Sequence, residues 1–426
     1  MGVPTVLLDD DEQALLAGER GEGVAMSMRL VVRLAEAMGA PRLRAVSGAH
    51  IDSCLYHGRS GVDFVERLVD GGAQVVVPTT LNVSSLDLLH PDLYRGDDET
   101  RRAAKALMDG YVALGCRPTW TCAPYQREER PAFGEHVAWA ESNAIVFANS
   151  VLGARTHRYG DFIDIAAAVT GRVPDAGLHL DTNRRATIVV DVSGLSPALL
   201  ATDAAYPVIG YVVGRIAGSH VPAIVGLPTG TAEDRLKALG ATSASSGSVA
   251  MFHAVGVTPE APTLDAACGG TVPSERVVVT ANDCREARDA LSTVAGGRLA
   301  TVSLGTPHYS VGEIGTLHEA LAGRPVHPDV DLYVSTGREM LAAAAARGWV
   351  DDLESSGVQF VVDTCTYITP ILRDVDGVAM TDSGKWAYYA PGNLGVEVVF
   401  GSVRECVESA VAGRIVRDEE LWSDVG

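Results

Sequence analysis

The sequence predicts an α/β fold of several lobes built on mostly parallel sheets. Short apolar, β-branched runs such as AQVVVPTT, LATVSLGT and GVEVVFGS alternate with segments whose apolar residues recur every three or four positions. Strands that are apolar on both faces belong in parallel sheets covered by helices on both sides. A length of 426 residues with 47% hydrophobic content is enough for two or three lobes.

The elements follow in order. Asp10 or Asp11 can cap a first helix over EQALLAG. Residues 23–38 read as an amphipathic helix, LRAVSG as a short strand, VDFVERLVD as a helix and AQVVVPTT as a buried strand. GEHVAWAESN suggests a helix carrying Glu135, His136 and Glu141 in salt-bridging or capping roles. The apolar stretch 206–227 is broken by Arg215, His220 and two prolines, so it reads as a core helix followed by a strand. From residue 275 onward the alternation is regular. ERVVVTAND leads into a helix capped by Asn282 or Asp283, LATVSLGT into VGEIGTLHEALAG, VDLYVST into GREMLAAAAARGW, and GVEVVFGS into VRECVESAVAG.

A net charge of −20 argues against a nucleic-acid face and against docking on an anionic membrane. The N-terminus has no basic segment followed by a long apolar run, and Val6 breaks the myristoylation pattern. Seven cysteines, an odd number, suggest reduced thiols in a cytoplasm rather than a disulfide framework. No GxGxxG loop and no GxSxG elbow is present.

Sites in open α/β sheets form at the carboxyl ends of strands. DTC at 363–365, LGTPH at 304–308 and the segment up to Cys284 lie at such ends. Cys365, beside a proline turn, could hold a metal or cluster or be a packed thiol. Cys122, in TWTCAPYQ, has the same two readings. Polar side chains are dense in stretches that should be partly buried, which makes Asn82, Asn143, Asn149 and Ser150 candidates for contact with substrate; Ser53 and Cys54, in IDSCLYHG, are further candidates. Arg155 could clamp a carboxylate. Lys385, one of three lysines, sits in a glycine-containing turn and could bind an anion.

The same segments carry a resemblance: SGAHIDSCLYHG (47–58), VVVPTTLNVSSLDLL (75–89), TWTCAPYQ (119–126), residues 133–162, AAVTGRVP (167–174), LGTPHYS (304–310), VVDTC (361–365) and SGKWAYYAPG (383–392). They resemble the aconitase X family over nearly the whole chain. The resemblance implies an aconitase-like α/β/α catalytic region spanning 1–426 and an iron–sulfur-dependent dehydratase, with Cys122 and Cys365 holding the cluster. Family branches dehydrate cis-3-hydroxy-L-proline or mevalonate 5-phosphate, and the segments look more like the hydroxyproline branch. Phosphomevalonate-type members carry a third cysteine where this chain has Thr306. The expectation is therefore a smaller cluster, 2Fe-2S, or a third ligand from the Thr306 region or Cys54. The resemblance also implies a small swivelling domain on a separate subunit that donates the catalytic base, so no catalytic base is assigned within this chain. A mononuclear metal protein and a non-catalytic subunit are the readings from other classes.

Overall fold

The structure, a computed structural model, describes residues 6–418 and Trp422. Residues 1–5, on which part of the N-terminal reading rests, lie outside the described residues. The chain forms two compact units: one takes it up to Leu86 and from Asp97 to Arg185, the other from Asp87 to Gly96 and from Ala186 onward. Hydrogen bonds explain why the short segment 87–96 belongs with the second unit. Asp87 accepts from the Val362 amide at 2.9 Å, Asp363 accepts from the Leu88 amide at 3.2 Å, and the Arg95 amide donates to the Pro370 carbonyl at 2.8 Å.

The first unit is built around three short parallel strands in the order Thr79–Leu81, Ala49–Ile51, Ala138–Trp139. An antiparallel pair, Leu43–Ala45 with Arg172–Pro174, lies beside them in the chain's first unit. Helix Glu22–Met38 buries Val24, Met28, Val31 and Ala35, the three- and four-residue spacing read from the sequence. The first helix starts at Asp10, two residues before the expected Glu12. Asp9, not Asp10 or Asp11, is its N-cap, in a reciprocal capping box with Glu12.

Two expectations in this unit are corrected. AQVVVPTT is strand only at its end, from Thr79, and Val76 is 62% exposed. The Val75 and Val76 amides bond to the Leu114 and Ala168 carbonyls instead of to a neighbouring strand, so tertiary partners replace the ladder. EHVAWAE is not a helix. Ala138–Trp139 joins the sheet, and a helix begins only at Ser142, capped by Glu141.

The second unit holds two parallel sheets. One has the order His253–Ala254, Pro222–Val225, Ile188–Asp191, Arg276–Val278. The other has five strands in the order Val358–Val361, Asp331–Thr336, Leu299–Tyr309, Val378–Thr381, Glu397–Phe400. In chain order this is 3-2-1-4-5, a doubly wound arrangement whose order reverses beside Leu299–Tyr309. Its core includes Val302, Leu304, Leu332, Val334, Phe360 and Met380, with Ile314 and Leu317 from helix Val311–Leu321. The cap of helix Ala281–Ala290 differs from expectation: Thr280 is the N-cap, and Asp283 answers it from the third position. Burial pushes the Cys284 thiol up to about 12, the opposite of an activated nucleophile. Among the described residues no helix is long and apolar enough to cross a membrane.

Leu332 is fully buried in a central strand of the five-stranded sheet. Leu332→Ala is expected to cost about 2–5 kcal/mol through lost transfer energy and the cavity left behind, read as a lower urea midpoint at unchanged slope.

Candidate functional site

Cys365 follows strand Val358–Val361 through a turn that the sequence makes rigid. Asp363 adopts a left-handed backbone, φ 63°, which a non-glycine residue holds only when its surroundings compel it. The Arg338 guanidinium grips both of its carboxylate oxygens, with Nε to Oδ1 at 2.6 Å. Burial pushes Asp363 above the usual carboxylate range, with Arg338 opposing it. Downstream, the Thr366 hydroxyl meets Ser303 at 2.6 Å and accepts from Trp386 Nε1 at 2.9 Å. The Cys365 carbonyl accepts from the amides of Ile368 and Thr369.

His308 is fully buried near the end of strand Leu299–Tyr309. Its Nε2 bonds to the Thr364 carbonyl at 3.0 Å. A carbonyl only accepts, so Nε2 carries the proton and Nδ1 carries the lone pair. The bond ties the imidazole to the residue preceding Cys365. Lys237, also buried, donates to the His308 carbonyl at 3.4 Å and pairs with Glu313 and Asp234. Burial raises Glu313 to about 8 against the pull of Lys237.

Cys122 lies in a tight turn followed by the short helical turn Pro124–Gln126. Asn143 holds this turn. Its Nδ2 donates to the Cys122 carbonyl at 3.1 Å and to Glu141 Oε1 at 2.8 Å, and its Oδ1 accepts from the Tyr125 hydroxyl at 2.6 Å. The Tyr125 ring stacks on Phe147 with centroids 3.8 Å apart. One ligand atom from each of Cys122, His308 and Cys365 lies within 4.8 Å of the other two, and all three residues are buried.

The other sequence candidates fall into distinct environments. Ser53 is engaged within the fold, its hydroxyl bonded to Tyr111 at 2.6 Å and to Asp164 at 2.9 Å. Cys54 faces the carbonyls of Ile51, Asn82 and Val83, and burial raises its pKa well above the usual thiol value. It is not in the three-residue group. Asn149 accepts through Oδ1 from the Thr156 amide and from Arg184 Nη1, both at 3.0 Å. Asn149 and Ser150 sit in a π-helical turn, Ala148–Leu152, of a kind often found at functional sites. Arg155 pairs with Asp181. Lys385 is not in a glycine turn but in the first turn of helix Gly384–Leu394, which Ser383 caps, and it is buried. The buried Thr306 hydroxyl has no hydrogen-bond partner among the described residues and lines a cavity of about 30 Å³ with Lys237, Glu313, Asp382 and Ser383.

Sequence reasoning passed over His308 although LGTPH contains it. The available signal was its place at a strand end, two residues beyond the position where a thiolate was sought. It also passed over Asp52 as a partner of Asn82.

Two thiols and an imidazole in a buried cluster form a donor set suited to iron–sulfur ligation or to a single borderline metal ion. The aconitase fold and this Cys-Cys-His group together suggest an iron–sulfur cluster.

The comparisons agree across the chain. Models described as the aconitase X first, second and third domains match residues 5–182, 186–289 and 299–412. A cis-3-hydroxy-L-proline dehydratase of Pseudomonas aeruginosa is 43% identical over 418 residues, covering 97% of this chain and 72% of the relative. A phosphomevalonate dehydratase large subunit of Methanothermobacter thermautotrophicus is 39% identical over 401 residues, covering 94% of this chain and 97% of the relative. The crystal structure of the holo-form of Thermococcus kodakaraensis aconitase X superposes with a TM-score of 0.85 at 33% identity, covering 95% of this chain and 100% of that one. With three domain models matched in order and nearly all of its own length aligned to these relatives, the chain belongs to the aconitase X family.

Proposed function

We propose that the chain is the large, catalytic part of an iron–sulfur-dependent dehydratase acting on cis-3-hydroxy-L-proline and yielding Δ1-pyrroline-2-carboxylate. The observation that carries the reading is the buried Cys122, His308 and Cys365 group. The choice of substrate rests on the 43% identical hydroxyproline dehydratase. Cys122 and Cys365 would bind as thiolates and His308 through Nδ1, so the third ligand comes from the Thr306 region, two residues beyond Thr306, rather than from Cys54. We assign a two-iron cluster because Thr306 stands where phosphomevalonate-type members carry a third cysteine.

The chemistry divides in two. The C2 proton of the substrate is weakly acidic and the C3 hydroxyl is a poor leaving group. When bound, the cluster supplies a Lewis acid that withdraws charge from the departing hydroxyl. The protein's share is to hold the substrate in a dry, low-dielectric setting and to place a base at C2, worth typically about 10²–10⁴-fold. We assign that base to a separate small subunit, a reading supported by relatives that are themselves named large subunits. Asn143 acts through Cys122, because its amide is fully occupied in holding the ligand turn. A cytoplasmic setting is supported by seven cysteines of which none is in a disulfide.

The identity to a phosphomevalonate dehydratase large subunit keeps a second substrate in view, so both are assayed. The anaerobically prepared chain, with and without its small subunit, should dehydrate cis-3-hydroxy-L-proline only in the complex. Turnover by this chain alone would refute the division of labour, and exclusive turnover of mevalonate 5-phosphate would refute the substrate.

Cys365→Ala should abolish visible cluster absorption and labile sulfide together. Iron bound without labile sulfide in the unaltered chain would instead identify a mononuclear centre. Asn143→Leu removes the hydrogen bonds that the Tyr125 hydroxyl and the Cys122 carbonyl make to Asn143, at about 1–3 kcal/mol for each. The expected outcome is a folded chain that loses iron to a chelator at least several-fold faster.

A further inference from the structure

We infer that the cavity where the five-stranded sheet reverses its strand order is a binding site for a monovalent cation, potassium or sodium, held by the Thr306 hydroxyl and Asp382 Oδ1. The site is distinct from the Cys122, His308 and Cys365 group, and its occupancy braces the strand end that carries His308.

The argument starts from strand order in the second unit. Leu299–Tyr309 lies between Asp331–Thr336 and Val378–Thr381, and the order reverses between it and Val378–Thr381. Open α/β sheets bind ligands in the crevice outside the carboxyl ends of strands at such a reversal. A cavity of about 30 Å³ lies there. Thr306 and Tyr309 reach it from the end of the first strand, and Asp382 and Ser383 from the residues just after the second. Helix Glu233–Ser246 adds Lys237 and Thr242, and the first turn of helix Val311–Leu321 adds Glu313. The volume has room for one bare alkali ion and about one water.

Most polar groups around the cavity are spent on one another. The Lys237 ammonium is taken by Glu313 and by Asp234, the latter at 3.1 Å. The Thr242 hydroxyl donates to the Ala238 carbonyl at 3.1 Å. Ser383 accepts from the Trp386 amide at 3.0 Å and gives its proton to the Thr306 carbonyl. The Tyr309 hydroxyl donates to Asp382 Oδ2. Two oxygens are left. Asp382 Oδ1 and the Thr306 hydroxyl are buried and have no hydrogen-bond partner among the described residues, and Thr306 is 5% exposed. Charge selects the occupant. Asp234, Glu313 and Asp382 set three carboxylates against one ammonium, and among the described residues Asp382 forms no ion pair. The amino ends of the two helices that start here would favour an anion, but Ser310 with Glu313 caps one and Ser383 caps the other. A water would satisfy the two oxygens and leave the carboxylate charge unbalanced. A divalent ion calls for several converging carboxylates. Among the described residues, the three whose ligand atoms gather within 4.8 Å are Cys122, His308 and Cys365, none of which lines this cavity. A hard monovalent cation fits one carboxylate oxygen and one hydroxyl. Two links carry its presence to the cluster ligand: Thr306 stands two residues before His308, and Lys237 donates to the His308 carbonyl at 3.4 Å.

The test compares potassium, sodium and choline chlorides at one ionic strength, timing iron loss to a chelator from the cluster-loaded enzyme with its small subunit. Potassium or sodium should slow that loss at least several-fold relative to choline, along a saturable curve. Asp382→Asn, which keeps shape and removes the charge, should raise the half-saturating concentration about tenfold or more, the scale of a lost contact to a charged group. Thr306→Val should raise it in the same direction and serves if Asp382→Asn fails to fold. Crystals soaked in thallium(I) acetate should show an anomalous peak between Thr306 and Asp382. That arm needs neither cluster nor small subunit, so it tests the site even if the dehydratase reading fails. A merely structural role would speed iron loss from the variants in all three salts and leave the half-saturating concentration unchanged, and that result would overturn the assignment. Iron loss that follows ionic strength alone, with no thallium peak, would overturn it as well and make the occupant water.

Discussion

One buried hydrogen bond organises the second unit's share of the site. His308 sits at the end of one parallel strand, and the turn carrying Cys365 follows another. The bond from His308 Nε2 to the Thr364 carbonyl joins them at 3.0 Å. In a water-free interior such a bond is electrostatically strong, and leaving it unmade would be expensive. It also decides chemistry. With a proton held on Nε2, Nδ1 is the ring nitrogen left to offer a lone pair. The supports around it serve that choice. Arg338 pins Asp363 in its left-handed conformation, Trp386 and Ser303 hold Thr366, and Lys237 reaches the His308 carbonyl.

The first unit reaches a comparable result with polar side chains. Its strands are only two or three residues long, too short for a large ladder to do the positioning. A chain of side-chain hydrogen bonds runs from Asp52 through Asn82 and Glu141 to Asn143, and from there to Cys122 and Tyr125. Buried polar networks are favourable only when nearly every member is satisfied. Among the described residues this one is satisfied except at the Asn82 oxygen. Asn143 and Asn82, which look alike as buried amides in the sequence, differ in this respect: one is saturated and the other retains an open acceptor.

Much of the second unit was legible from the chain alone. Apolar strands bounded by amphipathic helices led to parallel sheets, and the strand-end rule directed attention to DTC and LGTPH, where Cys365 and His308 stand. Two of the three errors share a cause. AQVVVPTT has strand composition, yet two of its amides found partners at helix ends. EHVAWAE has helical residues, yet part of it was drawn into the sheet. Lys385 lies beside a glycine that opens a helix rather than forming a turn. In the first two cases local propensity was outweighed by a tertiary hydrogen-bond partner, which no window of sequence contains; in the third the helix is opened by a local cap, Ser383 accepting from the Trp386 amide.

The sequence by itself determined the alternation of elements, the family and the two cysteines most worth following, because hydrophobic period and residue type are local properties. Only the tertiary structure decided which third donor stands with those sulfurs, which imidazole nitrogen offers its lone pair, and which buried amide keeps an unsatisfied oxygen. Those depend on atoms from segments far apart in the chain meeting at distances of a few ångströms, and on each polar group having a limited number of hydrogen bonds to make.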